Sequence, residues 1–290
     1  MTSPYKSRLF IILTCLPLLL AAAGCTEEKA LALQSAAVQY RDQAVKALNM
    51  TANGIRASTA MPKTTSATLS GKLKGFNGKF EEKHIELLLT GDSMLANAAD
   101  SATEPLEKLR DRIIEFSAVF DNLPRGSYLA KEEVSRTLPI ALRLNQSMLN
   151  LAGQIDNGKI RIVDNARRIE LIEETNAALD LPVGEKRDQA LLRVSNDLVE
   201  LTVREQKMRR DASVNLLQAA EIGNSLIGLA RNYDQVSLGD VLNSMNDSLR
   251  LAGRISPDSD SITNALKRLN SAAKAWEEDP TLKPLLDQNL

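Results

Sequence analysis

The chain has 290 residues, of which 25% are charged, and its formal net charge is −1. Because positive and negative residues are nearly equal in number, the composition gives no sign of a nucleic-acid-binding protein. Two cysteines are too few for a disulfide framework. Aromatic residues make up only 3% of the chain, which suits thin helical layers whose seams are filled by leucine and alanine. We therefore predict an all-α protein, an elongated antiparallel helical bundle that contains a long coiled-coil-like hairpin.

The first 24 residues have the three parts of a secretory signal. Lys6 and Arg8 are positive, residues 9–20 are mainly apolar, and residues 21–24 are small. The whole run from 9 to 24 is shorter than the roughly 20 residues that a membrane-spanning helix needs. A retained transmembrane helix is therefore the less favoured alternative.

The end of this segment, Ala22-Ala23-Gly24-Cys25, resembles the lipobox of bacterial lipoproteins. The resemblance implies cleavage between Gly24 and Cys25, acylation of Cys25, and attachment to a membrane of the cell envelope. In a Gram-negative cell, Thr26 after the cysteine implies the periplasmic face of the outer membrane. Two or more acyl chains would hold the protein stably. The alternative is a plain secretory signal with a chance cysteine.

Cleavage at this position would also remove Cys15, and Cys25 would be the remaining cysteine. An acylated Cys25 leaves no thiol for a disulfide, a metal site or a nucleophile.

Proline and glycine breaks divide the rest of the chain into helices. We predict helices at 27–60, 66–99, 104–122, 128–180, 185–233, 238–255 and 261–277. We group them after the signal peptide (1–24) as an N-terminal segment of about three helices (25–126), a long hairpin with the following helix (127–255), and a C-terminal helix and tail (256–290). A turn at 100–105 would pair the second helix with the third and place His84 opposite Phe120.

The long hairpin is predicted from two heptad rows. From Leu191 to Tyr233, thirteen positions alternate steps of three and four, and 11 of them are apolar or tyrosine. A similar row from Val134 to Asn176 keeps its phase through Asn157-Gly158, which predicts one continuous helix over 128–180. Folding the two rows at 181–184 places Lys159 opposite Glu205, and we interpret these charged residues as a register-setting pair.

Candidate catalytic or metal-binding residues are few. His84 is the only histidine, and Glu81-x-x-His84 is half of a carboxylate-bridged di-metal signature that needs a second histidine. We therefore interpret His84 as structural and expect no metal and no cofactor. The segment 71–79 lacks the Gly-Lys-Ser/Thr ending of a phosphate-binding loop. It is better interpreted as a basic helical stretch, with contact to anionic headgroups as the alternative.

Two other features are interpreted as structural. The arginine clusters at 165–170 and 204–211 are interleaved with acidic residues, which favours salt-bridged surfaces. Trp276 follows an apolar row and is interpreted as an anchor at a helix end.

These patterns predict a protein without catalytic chemistry. We expect a lipid-anchored helical scaffold or interaction module that presents long surfaces to an envelope protein. One alternative is an immunity, exclusion or inhibitor lipoprotein that neutralises a toxin or an enzyme. The alternative with enzymatic activity is a cell-wall hydrolase.

Overall fold

The computed structural model describes the backbone of residues 5–57, 92–121, 131–233, 238–280 and 282–284, and, from Ala30 onward, the side chains of these ranges apart from residues 57, 92–102, 104, 121, 131–133, 135 and 238. In these ranges every regular element is an α-helix, so the all-α prediction is confirmed. The helices are α1 (Tyr5–Ala57), α2 (Asp92–Asp121), α3 (Lys131–Asp156), α4 (Asn165–Leu179), α5 (Glu185–Arg231), α6 (Leu238–Gly253) and α7 (Ser259–Glu277). Within the described part of the chain, none of them combines the length and apolar character needed to cross a bilayer.

Helix α5 is the axis of the fold. Its 47 residues correspond to a length of roughly 70 Å. Eleven of the thirteen predicted row positions are buried, and the other two, Met208 and Asn215, are partly buried. From Ala212 to Ala230 nearly every position is buried, because α1, α3, α6 and α7 surround this half of the helix. The predicted helix and its heptad row are confirmed.

The N-terminal half of α5 has a different environment. Between 185 and 211 only one row is buried, and its members are Leu191, Val194, Leu198, Leu201 and Glu205. This row faces α4, which packs chiefly against α5. The apolar side chains buried between these two helices do not join the core that α1, α2, α3, α6 and α7 form around the C-terminal half of α5. We name α4 together with residues 185–211 of α5 the arm, and the remaining helical body the bundle.

The continuous helix predicted over 128–180 is wrong, because α3 ends at Asp156. Gly158 has φ +74°, a left-handed conformation that glycine adopts without steric cost. The Lys159 N–H donates to Asn157 Oδ1 over 3.1 Å, which closes the turn. The local turn chemistry of Asn-Gly therefore prevails over the unbroken heptad phase.

The break also changes which residues of α4 are buried. Asp164 begins the helix by accepting a hydrogen bond from the Arg167 N–H at 3.2 Å. The predicted row placed Ala166, Ile169 and Glu173 at the interface, whereas the buried residues are Asn165, Arg168, Leu171, Ile172, Thr175 and Ala178. The loop at 157–164 thus shifts the row by about one residue.

The predicted turn at 100–105 is also wrong, because α2 continues through it with Pro105 inside the helix. Leu106, Ile113, Phe116 and Phe120 are buried, and Phe116 meets Tyr40 of α1 edge-on at a centroid distance of 6.3 Å. An internal proline costs about 3 kcal/mol, whereas each buried large apolar side chain contributes about 1.5–3 kcal/mol. Packing against α1 therefore outweighs the proline. His84 lies outside the described residues, and its predicted contact with Phe120 stays a prediction.

Helix α1 runs antiparallel to the C-terminal half of α5. Met50 lies beside Asn215, and Tyr40 lies beside Gly223. A Cβ atom on Gly223 would stand 2.6 Å from the Asn145 Oδ1 of α3 and 2.7 Å from the Tyr40 Cε2. Glycine at this position allows α1, α3 and α5 to pack closely.

Helices α6 and α7 complete the bundle close to their predicted ranges. The Ser225 and Ser244 hydroxyls are 3.0 Å apart across the α5–α6 contact. Trp276 donates from Nε1 to Asn224 Oδ1 over 2.7 Å, and the guanidinium of Arg231 lies 5.4 Å from the centroid of its ring. Trp276 thereby fastens the end of α7 to α5.

Candidate functional site

The residues predicted to carry the lipid anchor lie on α1. Gly24 and Cys25 fall within the helix Tyr5–Ala57, ahead of the first described side chain. The cleavage and acylation predicted for them stay predictions.

The prediction that Lys159 pairs with Glu205 is wrong. Lys159 is exposed in the loop after α3, whereas Glu205 is buried and binds Arg168 of α4. The Arg168 Nε donates to Glu205 Oε1 over 2.6 Å, and Nη2 lies 2.5 Å from Oε2. A third hydrogen bond reaches Glu205 Oε1 from the Asp164 N–H at 3.0 Å. The one-residue shift of the row in α4 brings Arg168 to this position.

The arginine clusters form salt-bridged surfaces around this pair. Arg167 contacts Glu170, Glu174 and Asp197 at 2.9, 3.0 and 2.7 Å. The hydrogen bond to Glu170, followed by that to Glu174, raises the pKa of the Arg167 guanidinium above its ordinary value. The contacts with Glu170 and Glu174 lie within α4, whereas the contact with Asp197 joins α4 to α5.

The buried acidic residues among the described positions each face an arginine. Besides Glu205, these are Glu221 with Arg268 at 2.6 Å and Asp279 with Arg231 at 2.5 Å. The charge of each of these carboxylates is therefore compensated within the protein, as a buried charge requires. The described residues also include no group of three histidine, cysteine or acidic residues suited to a metal ion.

A large concave surface of the described residues is an open groove between α2 and α3, with a volume of about 980 Å³. We name it the α2–α3 groove. Its walls are mainly apolar side chains: Leu106, Leu109, Phe116 and Val119 from α2, Ile140, Leu144 and Leu151 from α3, and Ile160 from the following loop. Val119 and Ile140 remain 53% and 49% exposed, so a partner can reach both walls. Sites that bind ligands or peptides are typically concave and apolar in this way.

The rim of the groove is positive. Lys108, Arg112 and Arg143 border it and are exposed, and one acidic residue, Glu115, stands among them. A positive border on a chain whose overall charge is −1 favours a binding partner with acidic residues near its apolar surface.

The groove was not predicted, although the sequence contains a signal for it. Thr137, Ile140, Leu144, Ser147, Leu151 and Gln154 follow steps of three and four along α3, beside the row that packs on α5. Such a second row predicts that a helix uses two faces. The row on α2 that contains Leu109, Phe116 and Val119 has the same spacing.

Comparison of the chain with protein-family models, curated proteins and solved structures gives no match. The geometry and chemistry of the described surfaces are therefore the basis for any function of this chain.

Proposed function

We propose that the protein is a non-catalytic interaction module of the cell envelope, attached to a membrane by acyl chains on Cys25. In a Gram-negative cell the protein would be attached to the periplasmic face of the outer membrane. The observation that carries the proposal is the α2–α3 groove, with its apolar walls and positive rim. Its occupant would be a helix of an envelope protein that has an apolar row flanked by acidic residues.

The shape of the groove supports a helical occupant. Two helices that diverge leave a channel for the apolar row of a third, which is how amphipathic helices bind grooves in other proteins. Ile140 and Val119 stand on opposite walls and would contact the two sides of that row. Arg112 and Arg143 would then meet the acidic flanks, which contributes to orientation and to the rate of association.

The surroundings of the charged residues favour binding over catalysis. The buried carboxylates Glu205, Glu221 and Asp279 pair with arginines, which suits a structural role. The acidic residue of the groove, Glu115, is exposed to solvent and stands among the positive residues of the rim.

Crosslinking in the native envelope tests this proposal. A photo-crosslinking amino acid at Ile140 should capture one discrete envelope protein. The control position is Leu242 of α6, which is 52% exposed and does not line the groove. The Ile140 product should fall when Arg112 and Arg143 are both changed to Glu, because the rim then repels an acidic partner. Identical products from Ile140 and Leu242, or a product insensitive to charge reversal, would contradict the proposal.

A further inference from the structure

The outer face of the arm carries a second heptad row. Gln189, Leu192, Asn196, Val199, Val203 and Gln206 follow steps of three and four along α5, and all six are exposed. We name these residues the arm stripe. Charged residues account for 13 of the 27 positions between 185 and 211, yet none lies in the stripe. A heptad row without charge is the pattern by which a helix packs against another helix.

The stripe continues into a face that is already covered in the bundle. The row next passes Arg210, which is partly buried, and then reaches Ser213, Leu217 and Ala220, all of which are buried. The Ser213 hydroxyl donates to the Ala152 carbonyl of α3 over 3.2 Å. Because α3 ends at Asp156, no described helix covers this face of α5 along the arm. The stripe is therefore an uncovered extension of a helix–helix interface.

We propose that the arm stripe binds the arm stripe of a second copy of this chain, with the two α5 helices antiparallel. In this register Leu192 faces Val203 of the second copy, Asn196 faces Val199, and Gln189 faces Gln206. Every contact occurs twice about a two-fold axis, as in an isologous interface. The two central layers pair Asn196 with Val199, the layers beside them pair the apolar Leu192 with Val203, and the amides of the two glutamines can hydrogen-bond at each end.

The charges beside the stripe support a second copy as the occupant. Arg193 and Glu200 are both exposed and border the stripe on the same side. The antiparallel register places Arg193 of each copy next to Glu200 of the other, which gives two attractive pairs of opposite charge. Lys186 would approach Lys207 at the periphery, where water screens the repulsion. Flanking charges of this kind set the orientation of helix pairs.

The shape of the molecule selects the antiparallel orientation. Packed helices have axes about 8–10 Å apart, whereas other helices cover α5 on nearly every side from Ala212 onward. A parallel pair would force the two bundles into the same space. The antiparallel register instead places the start of the second bundle, at its Ala212, level with Val183. That residue stands at the end of the arm and is 87% exposed, so the partner's bundle would cover it.

Disulfide crosslinking of the full-length protein, extracted from the membrane in detergent so that two copies can approach from opposite directions, tests this arrangement. Two differently tagged chains are expressed together, one with Leu192→Cys and the other with Val203→Cys. The antiparallel register brings these positions within reach of a disulfide, so the mixed dimer should form in preference to either dimer of like chains. A chain with Leu242→Cys replaces one partner as the control, because Leu242 is exposed on α6 and away from the stripe.

A charge substitution separates specific pairing from chance collision. Val199→Glu should lower the yield of mixed dimer by at least about tenfold, because it places an unpaired carboxylate in the interface. Leu242→Glu should leave the yield unchanged. Circular dichroism of both variants checks that each keeps its helical content, and a Val199→Ala variant should retain the dimer if Val199→Glu fails to fold.

Three results would overturn the proposal. These are absence of the mixed dimer, preferential disulfides between like chains, and a dimer that survives Val199→Glu. A disulfide or photo-crosslink from the stripe to another envelope protein, or to another part of the same chain, would assign the stripe a different occupant. Because Ile140 and the stripe lie on different helices, the α2–α3 groove proposal can fail without affecting this one, and the reverse also holds.

Discussion

Replacing Glu205 by methionine should destabilise the arm strongly, because it leaves Arg168 buried without its carboxylate. Each side chain of the pair is only 9% exposed, and two hydrogen bonds join them. Removing one partner of a buried ion pair costs about 3–5 kcal/mol. We therefore expect the free energy of unfolding of the arm to fall by about that amount in Glu205→Met and in Arg168→Met.

The double variant should cost much less than the sum of the single changes. With both charges gone, the interface between α4 and α5 becomes apolar, and replacement of a buried pair by apolar residues is often nearly neutral. One loss remains, because the Asp164 N–H also donates to Glu205. A lost hydrogen bond of this kind costs roughly 1 kcal/mol. With single losses of about 3–5 kcal/mol each and a double loss of about 1 kcal/mol, the double-mutant cycle should give an interaction energy of about 5 kcal/mol or more, above the usual range.

Hydrogen exchange is a suitable assay, because it reports the opening of α4 separately from unfolding of the bundle. Urea unfolding followed by circular dichroism supplies the global value. The matched control is Lys159→Met, which alters an exposed side chain and should change stability by less than about 0.5 kcal/mol. Strong coupling of Glu205 to Lys159, with weak coupling to Arg168, would refute the register described for the arm.

Three further predictions concern α1 and its packing on α5. Gly223→Ala should destabilise the bundle by about 1–3 kcal/mol in urea unfolding, because its methyl group would overlap the side chains of Asn145 and Tyr40. Gly253→Ala should leave stability unchanged or raise it slightly, because a Cβ atom added there would meet no neighbouring side chain within 4 Å. Burial raises the pKa of the Tyr40 hydroxyl far above its ordinary value. Stability that is present below about pH 10 should therefore be lost as the pH rises further. Tyr40→Phe should reduce that loss of stability in thermal melts. Cys25→Ser should yield unprocessed or soluble protein on fractionation, and membrane-bound protein still cleaved before residue 25 would contradict the lipoprotein prediction.

The helix class and the long axis of the fold were predictable because a heptad row is a local signal. The row from Leu191 to Tyr233 depends on spacing alone, and one helix satisfies it. The ends of α6 and α7 were predictable for a similar reason, since an aspartate such as Asp258 caps a helix by accepting the hydrogen bond of a nearby N–H, here that of Ser261.

The break after α3 was not predicted, because two local signals disagreed. The heptad phase through Asn157-Gly158 favoured a helix, and the dipeptide itself favoured a turn. The turn prevails, and the resulting shift in α4 replaces Lys159 by Arg168 as the partner of Glu205. An error of one residue in phase thus changes the partner of a buried charge.

The α2–α3 groove depends on tertiary arrangement. Its walls come from two helices and the loop that follows α3, and α2 also packs on α1. Spacing along one helix shows that a second apolar face exists, but the neighbour of that face is set by how the helices are connected and packed.

The antiparallel course of α1 and α5 sets the distance between Ala30 and the tip of the arm. Ala30 lies at the level of the C-terminal end of α5, since Tyr40 adjoins Gly223 and Met50 adjoins Asn215. The tip of the arm at Glu185 is therefore roughly 70 Å from the level of Ala30. With acyl chains on Cys25, the molecule would act as a spacer whose tip points away from its own bilayer. Two copies paired through their arms would hold attachment points roughly 100 Å apart and facing in opposite directions, a geometry suited to bridging two surfaces.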